Sequence, residues 1–225
     1  MFEKKLENFT CIMVIILILL FFYDDNEDDF YENIKEIKKP NDLIFLVNKN
    51  NILPANYIPN DLRLINNRYA YDGKYLREEA AINFENLSID ASLLGYRIIA
   101  VSAFRDYEYQ GKLFNEYISS KGLEYALLCS AKPGHSEHQT GLAVDVEGSN
   151  KDYDEFEKSM EFNWMKENAH KYGFILRYPK AKEHITGFKY EPWHYRYVGV
   201  KHATKIYNEN ITLEEYKKIY LFNNN

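Results

Sequence analysis

The 225-residue chain is 46 % hydrophobic and 28 % charged, enough apolar material for one ordinary domain with its own core and too much for wholesale disorder. Its net charge of −6 is concentrated at residues 24–39, where seven acidic side chains stand against three basic ones; with no basic footprint, nucleic-acid binding is excluded. Of the two cysteines, Cys11 lies in an apolar run and Cys129 far away in the body, so there is no disulfide framework and no Cys-rich metal pattern.

The run from Phe9 to Tyr23 is apolar on every side, follows Lys4 and Lys5 and precedes Asp24-Asp25. At about 1.5 Å per residue it is slightly short for a ~30 Å hydrocarbon core, a gap that snorkelling flanks or a thinned bilayer would close. No small-residue cleavage signal follows it. The expected organisation is a cytoplasmic N-terminus over residues 1–8 and a transmembrane helix over 9–23 that anchors the chain in the membrane, a cleaved signal being the alternative. An acidic solvated linker over 24–40 and a body over 41–225 follow. The flanking lysines place the body outside the cell, as a single-pass membrane protein or a secreted one.

Within the body, DLIFLVNKN (42–50) reads as a short helix, followed by a segment bounded by Pro54 and Pro59. Residues 77–93 have helical spacing, with Ala80, Ala81, Phe84 and Leu87 on one face. Residues 96–102 read as a buried strand. Asp106 is placed to cap a helix over about 107–120 that Gly122 stops. SAKPGHSEHQTG (130–141) is a loop, with Cys129 beside it expected as a small buried residue. Residues 142–146 alternate as a strand, with Leu142, Val144 and Val146 on one face and Ala143 and Asp145 on the other. A helix over about 154–172 ending at Gly173, strands over 174–178 and 191–197, and helices near 199–207 and 213–220 complete the chain. The expected fold is α+β: a small, mostly antiparallel sheet with surrounding helices and a metal site in a cleft on the sheet, preceded by the transmembrane helix.

A lone carboxylate on an apolar strand, Asp145, is unfavourable unless paired or metal-bound. His138 lies seven residues earlier, and Gly141 lets the intervening chain turn so that the imidazole can approach. Glu191-Pro192-Trp193-His194 adds a second imidazole and a second carboxylate. In a regular strand Glu191 and His194 would face opposite ways, so the pair requires a local irregularity; a bulge at Pro192 is the expectation. His138, Asp145 and His194 then form a three-ligand set with a fourth position for water, the arrangement of a catalytic zinc site. Glu191 is the base for that water. Ser136 has no nucleophile elbow around it, no SxxK occurs, and no HExxH is present. His135, His170, His184 and His202 read as surface or packing histidines, and Trp193 as a support.

SEHQTGLAVD matches SxHxxGxAxD and EPWH matches ExxH, and the chain resembles the VanY-type D-alanyl-D-alanine carboxypeptidases in these motifs. The resemblance extends through LVNKNNILPANYIPNDL at 46–62, Ser102-Ala103-Phe104-Arg105 with Gln110, GFILRYP at 173–179 and ITLEEY at 211–216. It implies zinc (one ion per chain) on His138, Asp145 and His194, Glu191 as catalytic base, and Arg105 neutralising charge on the scissile carbonyl or on the substrate's terminal carboxylate. It also implies a substrate pocket lined by Gln110, Ser136 and Tyr178. The expected activity is removal of the C-terminal D-alanine from peptidoglycan stem peptides by attack of metal-bound water. The alternatives are L,D-carboxypeptidase action on tetrapeptide stems and a wall-binding module without turnover, against which the intact Glu191 argues.

Overall fold

The computed structural model describes residues 30–221 apart from 39, 41, 153 and 154. Its centre is a four-stranded antiparallel sheet of β5 (Ile99–Ser102), β6 (Ala143–Glu147), β7 (Phe174–Leu176) and β8 (His194–Tyr197), in the order β5-β6-β8-β7. Two small pairs flank it: β1 (Lys35–Glu36) runs parallel to β2 (Asn51–Ile52), and β3 (Leu62–Leu64) antiparallel to β4 (Tyr75–Arg77). The helices are α1 (Glu78–Leu93), α2 (Tyr107–Lys121), α3 (Leu123–Cys129), α4 (Met160–Asn168), α5 (Glu183–Thr186), α6 (Val200–Glu209) and α7 (Leu213–Tyr220).

One sheet face packs against the main core, and the other carries the cleft and, at β7, the second apolar cluster. Val144 and Val146 of β6 point into the main core with Phe174, Tyr195 and Tyr197, where α1 contributes Ala80, Ala81, Phe84, Leu87 and Ala91. Phe84 meets Phe174 edge to face with centroids 6.0 Å apart. Each large apolar side chain buried here contributes about 1.5–3 kcal/mol relative to exposure. Tyr197 combines this burial with polar anchoring: its hydroxyl donates to Glu79 Oε1 (2.6 Å) and accepts from Asn83 (3.1 Å). A second cluster, with Ile175, Val198, Ala203, Ile206, Leu213 and Tyr216, docks α6 and α7. Because side chains alternate along β6, Asp145 and Glu147 emerge on the opposite face, which lines a cleft of about 720 Å³.

Helix ends follow local chemistry. Asp106 caps α2 by accepting from the Tyr109 amide (2.7 Å), and Gly122 ends it at φ 88. Thr212 and Glu215 form a reciprocal capping box at α7. Residues 42–50, expected as a helix, are instead bends and a turn. Asp42 Oδ1 accepts from the Ile44 amide (3.0 Å), and Asn48 Oδ1 accepts from the amides of Asn50 and Asn51 (3.0 Å each). These side chains satisfy the backbone locally, which competes with helix formation. The helix expected over 154–172 is broken into 3₁₀ turns at Phe156–Lys158 and Ala169–Tyr172 on either side of α4, where the Ser159 side chain caps by accepting from Phe162.

The expectation that the fold carries an N-terminal transmembrane helix is corrected. Among the described residues no helix is long and apolar enough to cross a membrane. The longest, α1, has 16 residues and carries Glu78, Glu79, Glu85 and Asp90, which a hydrocarbon core does not admit unpaired. The run at 9–23 that prompted the expectation lies outside the described residues. The later part of the acidic segment is also more than a solvated linker: Lys35–Glu36 pairs with β2, and the Tyr31 ring meets His135 edge-on at 5.0 Å.

Candidate active site

Sheet register assembles the site. Asp145 on β6 is the direct cross-strand partner of both Ser102 on β5 and His194 on β8, so these side chains share one face. His138 arrives from the 3₁₀ turn Glu137–Thr140, whose N-cap is Ser136 and whose exit is Gly141 at φ 66. An alanine there would be strained by the left-handed backbone, and its Cβ would lie 3.0 Å from Leu62 and 3.1 Å from Arg77. One donor atom from each of His138, Asp145 and His194 lies within 4.8 Å of the others.

Each donor has a defined orientation. His138 Nδ1 lies 2.6 Å from the Ala103 carbonyl, which only accepts, so Nδ1 carries the proton and Nε2 presents its lone pair, 3.2 Å from Asp145 Oδ2. His194 Nδ1 lies 2.8 Å from Asp145 Oδ1. The two imidazoles meet edge to face, with centroids 5.0 Å apart. Burial pushes His138 down to about 4, with the Arg105 guanidinium adding to the effect. Burial acts the same way on His194, but its hydrogen bond to the Asp145 carboxylate and the nearby Glu137 carboxylate outweigh it and raise the ring to about 9. Burial opposes the charge on Asp145, yet the flanking imidazoles, His138 foremost, hold its carboxyl well below the usual range.

Glu191 stands beside this set, its Oε2 3.8 Å from His194 Nδ1. The irregularity that brings the two together is a β-turn, not a bulge within a strand. β8 begins only at His194, whose amide donates to the Glu191 carbonyl (3.2 Å) across Pro192-Trp193, with proline in the second position of the turn. The turn is tied down on both sides: the Glu191 amide donates to Tyr178 (3.1 Å), and the Trp193 carbonyl accepts from Val146 (3.1 Å). Burial raises the Glu191 carboxyl to about 7, with the neighbouring Asp145 also raising it and His194 and Arg105 acting the other way.

Arg105 follows β5 and lines the same cleft. Its Nε donates to Gln110 Oε1 (3.1 Å), one terminal nitrogen donates to Ser102 Oγ (2.7 Å), and that nitrogen lies 3.7 Å from Asp145. Gln110 is fixed in turn by donating to the Ala131 carbonyl (2.8 Å), so it aims the guanidinium instead of lining the cleft itself. Ser136 reaches the cleft wall, but its hydroxyl accepts from the His138 amide (3.3 Å), which makes it a cap. The Tyr178 ring lies 4.9 Å from the His194 ring and closes one side. Cys129, expected to be buried, is half-buried at the cleft wall. At the far end Glu147 accepts from the Tyr71 hydroxyl (2.8 Å) and pairs with Arg97 (3.3 Å). The remaining histidines lie outside the cleft lining; His170 stacks on Tyr207 and His202 bonds the Tyr216 hydroxyl.

One buried group leaves no signature in its local sequence. Glu137, between Ser136 and His138, is fully buried in the cleft wall, where its carboxylate pairs with Arg177 and Arg196. Spacing alone gives no reason to single it out. The available signal is the pair of arginines on otherwise apolar strand segments, FILRY and HYRY, which demand buried partners.

Residues 73–200 match the family described as D-alanyl-D-alanine carboxypeptidase (VanY). The Bacillus subtilis (strain 168) protein YodJ is 41 % identical over 192 residues, covering 82 % of this chain and 70 % of its own length. The solved LdcB LD-carboxypeptidase superposes with a TM-score of 0.77 at 41 % identity, over 83 % of this chain and 91 % of that one. The vancomycin-resistance D,D-pentapeptidase VanY from a VanB-type cassette, solved with Zn(II), superposes with a TM-score of 0.67 at 34 % identity, over 77 % and 98 % of the two chains.

Proposed function

The chain belongs to the VanY family of D-alanyl-D-alanine carboxypeptidases, and from that premise we propose a zinc-dependent enzyme that removes the C-terminal D-alanine from peptidoglycan stem peptides. The observation that carries the reading is the convergence of three oriented donors with a half-buried, unligated Glu191 and the Arg105 fork in one cleft. Two imidazoles and a carboxylate are common zinc ligands in hydrolytic sites, and the free lone pair of His138 Nε2 suits the role. When bound, zinc supplies Lewis acidity and an acidified water. Glu191 accepts a proton at its carboxylate and returns it to the leaving amine. Arg105, already aimed by Gln110 and Ser102, binds the substrate's terminal carboxylate or the developing oxyanion. Tyr178 packs along the substrate. A wall substrate places the working enzyme outside the cytoplasm.

A second reading, L,D-carboxypeptidase action on tetrapeptide stems, is favoured by the higher structural likeness to LdcB than to the D,D-pentapeptidase. Incubating the zinc-loaded chain with pentapeptide and tetrapeptide stems and weighing the products separates the two. The D,D reading expects loss of one alanine from the pentapeptide with the tetrapeptide left intact; trimming of the tetrapeptide alone establishes the L,D reading, and no trimming of either overturns both.

Metal loading has its own signature. In the metal-free protein at pH 8, His138 is already neutral and Glu191 largely ionised, whereas His194, raised to about 9, is still mostly protonated. A nitrogen must shed its proton to become a ligand. Zinc binding at pH 8 is therefore expected to release about one proton, with apparent affinity rising about tenfold per pH unit until pH reaches the His194 value and levelling above it. Calorimetry in buffers of different ionisation enthalpy measures the release; an affinity that stays constant between pH 7 and pH 9 would show that His194 is not protonated in the free protein.

A further inference from the structure

Behind the three donors lies an unfinished contact. His194 turns Nδ1 toward Asp145 and the cleft, and points Nε2 backwards into the protein, where it has no hydrogen-bond partner. Facing it at 3.6 Å is Glu137 Oε2, also buried and also without a hydrogen-bond partner. A buried donor and a buried acceptor left apart each carry a desolvation penalty that a modest approach would remove. The carboxylate is not free to look elsewhere. Its Oε1 accepts from Arg177 Nε (2.8 Å) and from Arg196 (2.9 Å). Arg177 is gripped bidentately by Glu214 at 2.9 and 2.7 Å, and Arg196 donates to the carbonyls of Leu43 and Phe45 at 3.0 Å each. Two acids and two bases make the cluster neutral overall, so it holds Glu137 charged and stationary with Oε2 aimed at the ring.

We propose that Glu137 is a positioning residue for the metal centre, its Oε2 accepting the Nε2–H of His194 so that the ring is locked with Nδ1 presented to the ion. The proposal rests on the metal reading of the site given above. A ligand at Nδ1 requires the remaining ring proton to sit on Nε2, and a fixed carboxylate there selects that tautomer, orients the ring and makes Nδ1 a stronger donor. His138 is served the same way by the Ala103 carbonyl on its Nδ1. The site thus holds one imidazole by a neutral acceptor and the other by a charged one.

Glu137→Gln keeps the size of the side chain but allows its amide to turn a donor toward Nε2. Zinc affinity, measured by chelator competition on the full chain, is expected to fall about ten- to hundredfold. Glu214→Gln loosens the same cluster on its far side and is expected to lower the melting temperature while zinc affinity stays within about twofold. Asp145→Asn tests the metal reading separately. Loss of zinc in Asp145→Asn with wild-type affinity in Glu137→Gln would overturn the role of Glu137 alone, while wild-type affinity in Asp145→Asn would overturn the metal site itself. An equal loss in Glu214→Gln would reduce the effect to general destabilisation and likewise overturn the proposal. Should Glu137→Gln not fold, nitrogen-15 imidazole spectra of the zinc-loaded wild-type chain decide it. His194 is expected protonated at Nε2 and metal-bound at Nδ1; the opposite arrangement refutes the inference.

Discussion

Glu191→Gln is expected to lower kcat by a factor on the order of 10²–10⁴ without loss of bound zinc, the span typical for removal of a general base. The substitution preserves volume and hydrogen-bonding capacity, so the Glu191–His194 turn, held by backbone bonds to Tyr178 and Val146, stays in place. What disappears is the ability to take up a proton. Burial has tuned this carboxyl to about 7, close to the pH at which a base both remains ionised and binds a proton usefully. The sign of the pH effect follows: the base is lost as pH falls through its pKa, so kcat/KM falls on the acid side. A bound dication pulls that pKa downward, placing the limb of the loaded enzyme below 7. D-Alanine release and metal content measured on the same preparations check the prediction. Hydrolysis within tenfold of wild type would remove Glu191 from the mechanism, and a wild-type chain that retains zinc without any turnover would point to the wall-binding alternative.

The grouping of His138, Asp145 and His194, whose donor atoms meet within 4.8 Å, was legible because an aspartate on an apolar strand needs a partner and two short motifs each offer an imidazole. Alternation along 142–146 correctly separates Val144 and Val146 in the core from Asp145 in the cleft. Other features depend on forces that periodicity does not encode. The helix read into 42–50 is undone by Asp42 and Asn48, whose side chains answer backbone amides two or three residues away. Glu191 and His194 share a site through a four-residue turn, and spacing alone does not distinguish that turn from a bulge. The burial of Glu137 depends on Arg177, Arg196 and Glu214, which lie 40, 59 and 77 positions further along the chain and are gathered only by the completed sheet and α7.

Arg177→Met is expected to destabilise the fold by about 3–5 kcal/mol, the usual cost of removing one partner from a buried ion pair. Arg177 is fully buried and serves both acids of the cluster, so its loss leaves Glu137 with Arg196 alone and strips Glu214 of its bidentate partner. Methionine fills much of the apolar volume, which keeps the effect electrostatic. For a domain of this size the melting temperature should drop by about 6–20 °C. The double variant Glu137→Gln/Arg177→Met should recover part of the loss, because the uncompensated charge is gone along with its partner. Acid gives an independent check. Burial works against the charge on Glu137, but the guanidiniums of Arg177 and Arg196 outweigh it and hold the carboxyl well below the usual range. The stability it contributes is therefore complete above the unfolded-state value near ~4.3 and is lost as pH falls toward the depressed folded one. Removing Arg177 raises the folded value, so the variant has less to lose, and the gap between wild type and variant should narrow below pH ~4. Denaturant melts at pH 7 and pH 3.5 measure both effects; a gap that widens in acid would mean that Glu137 is not the charge Arg177 compensates.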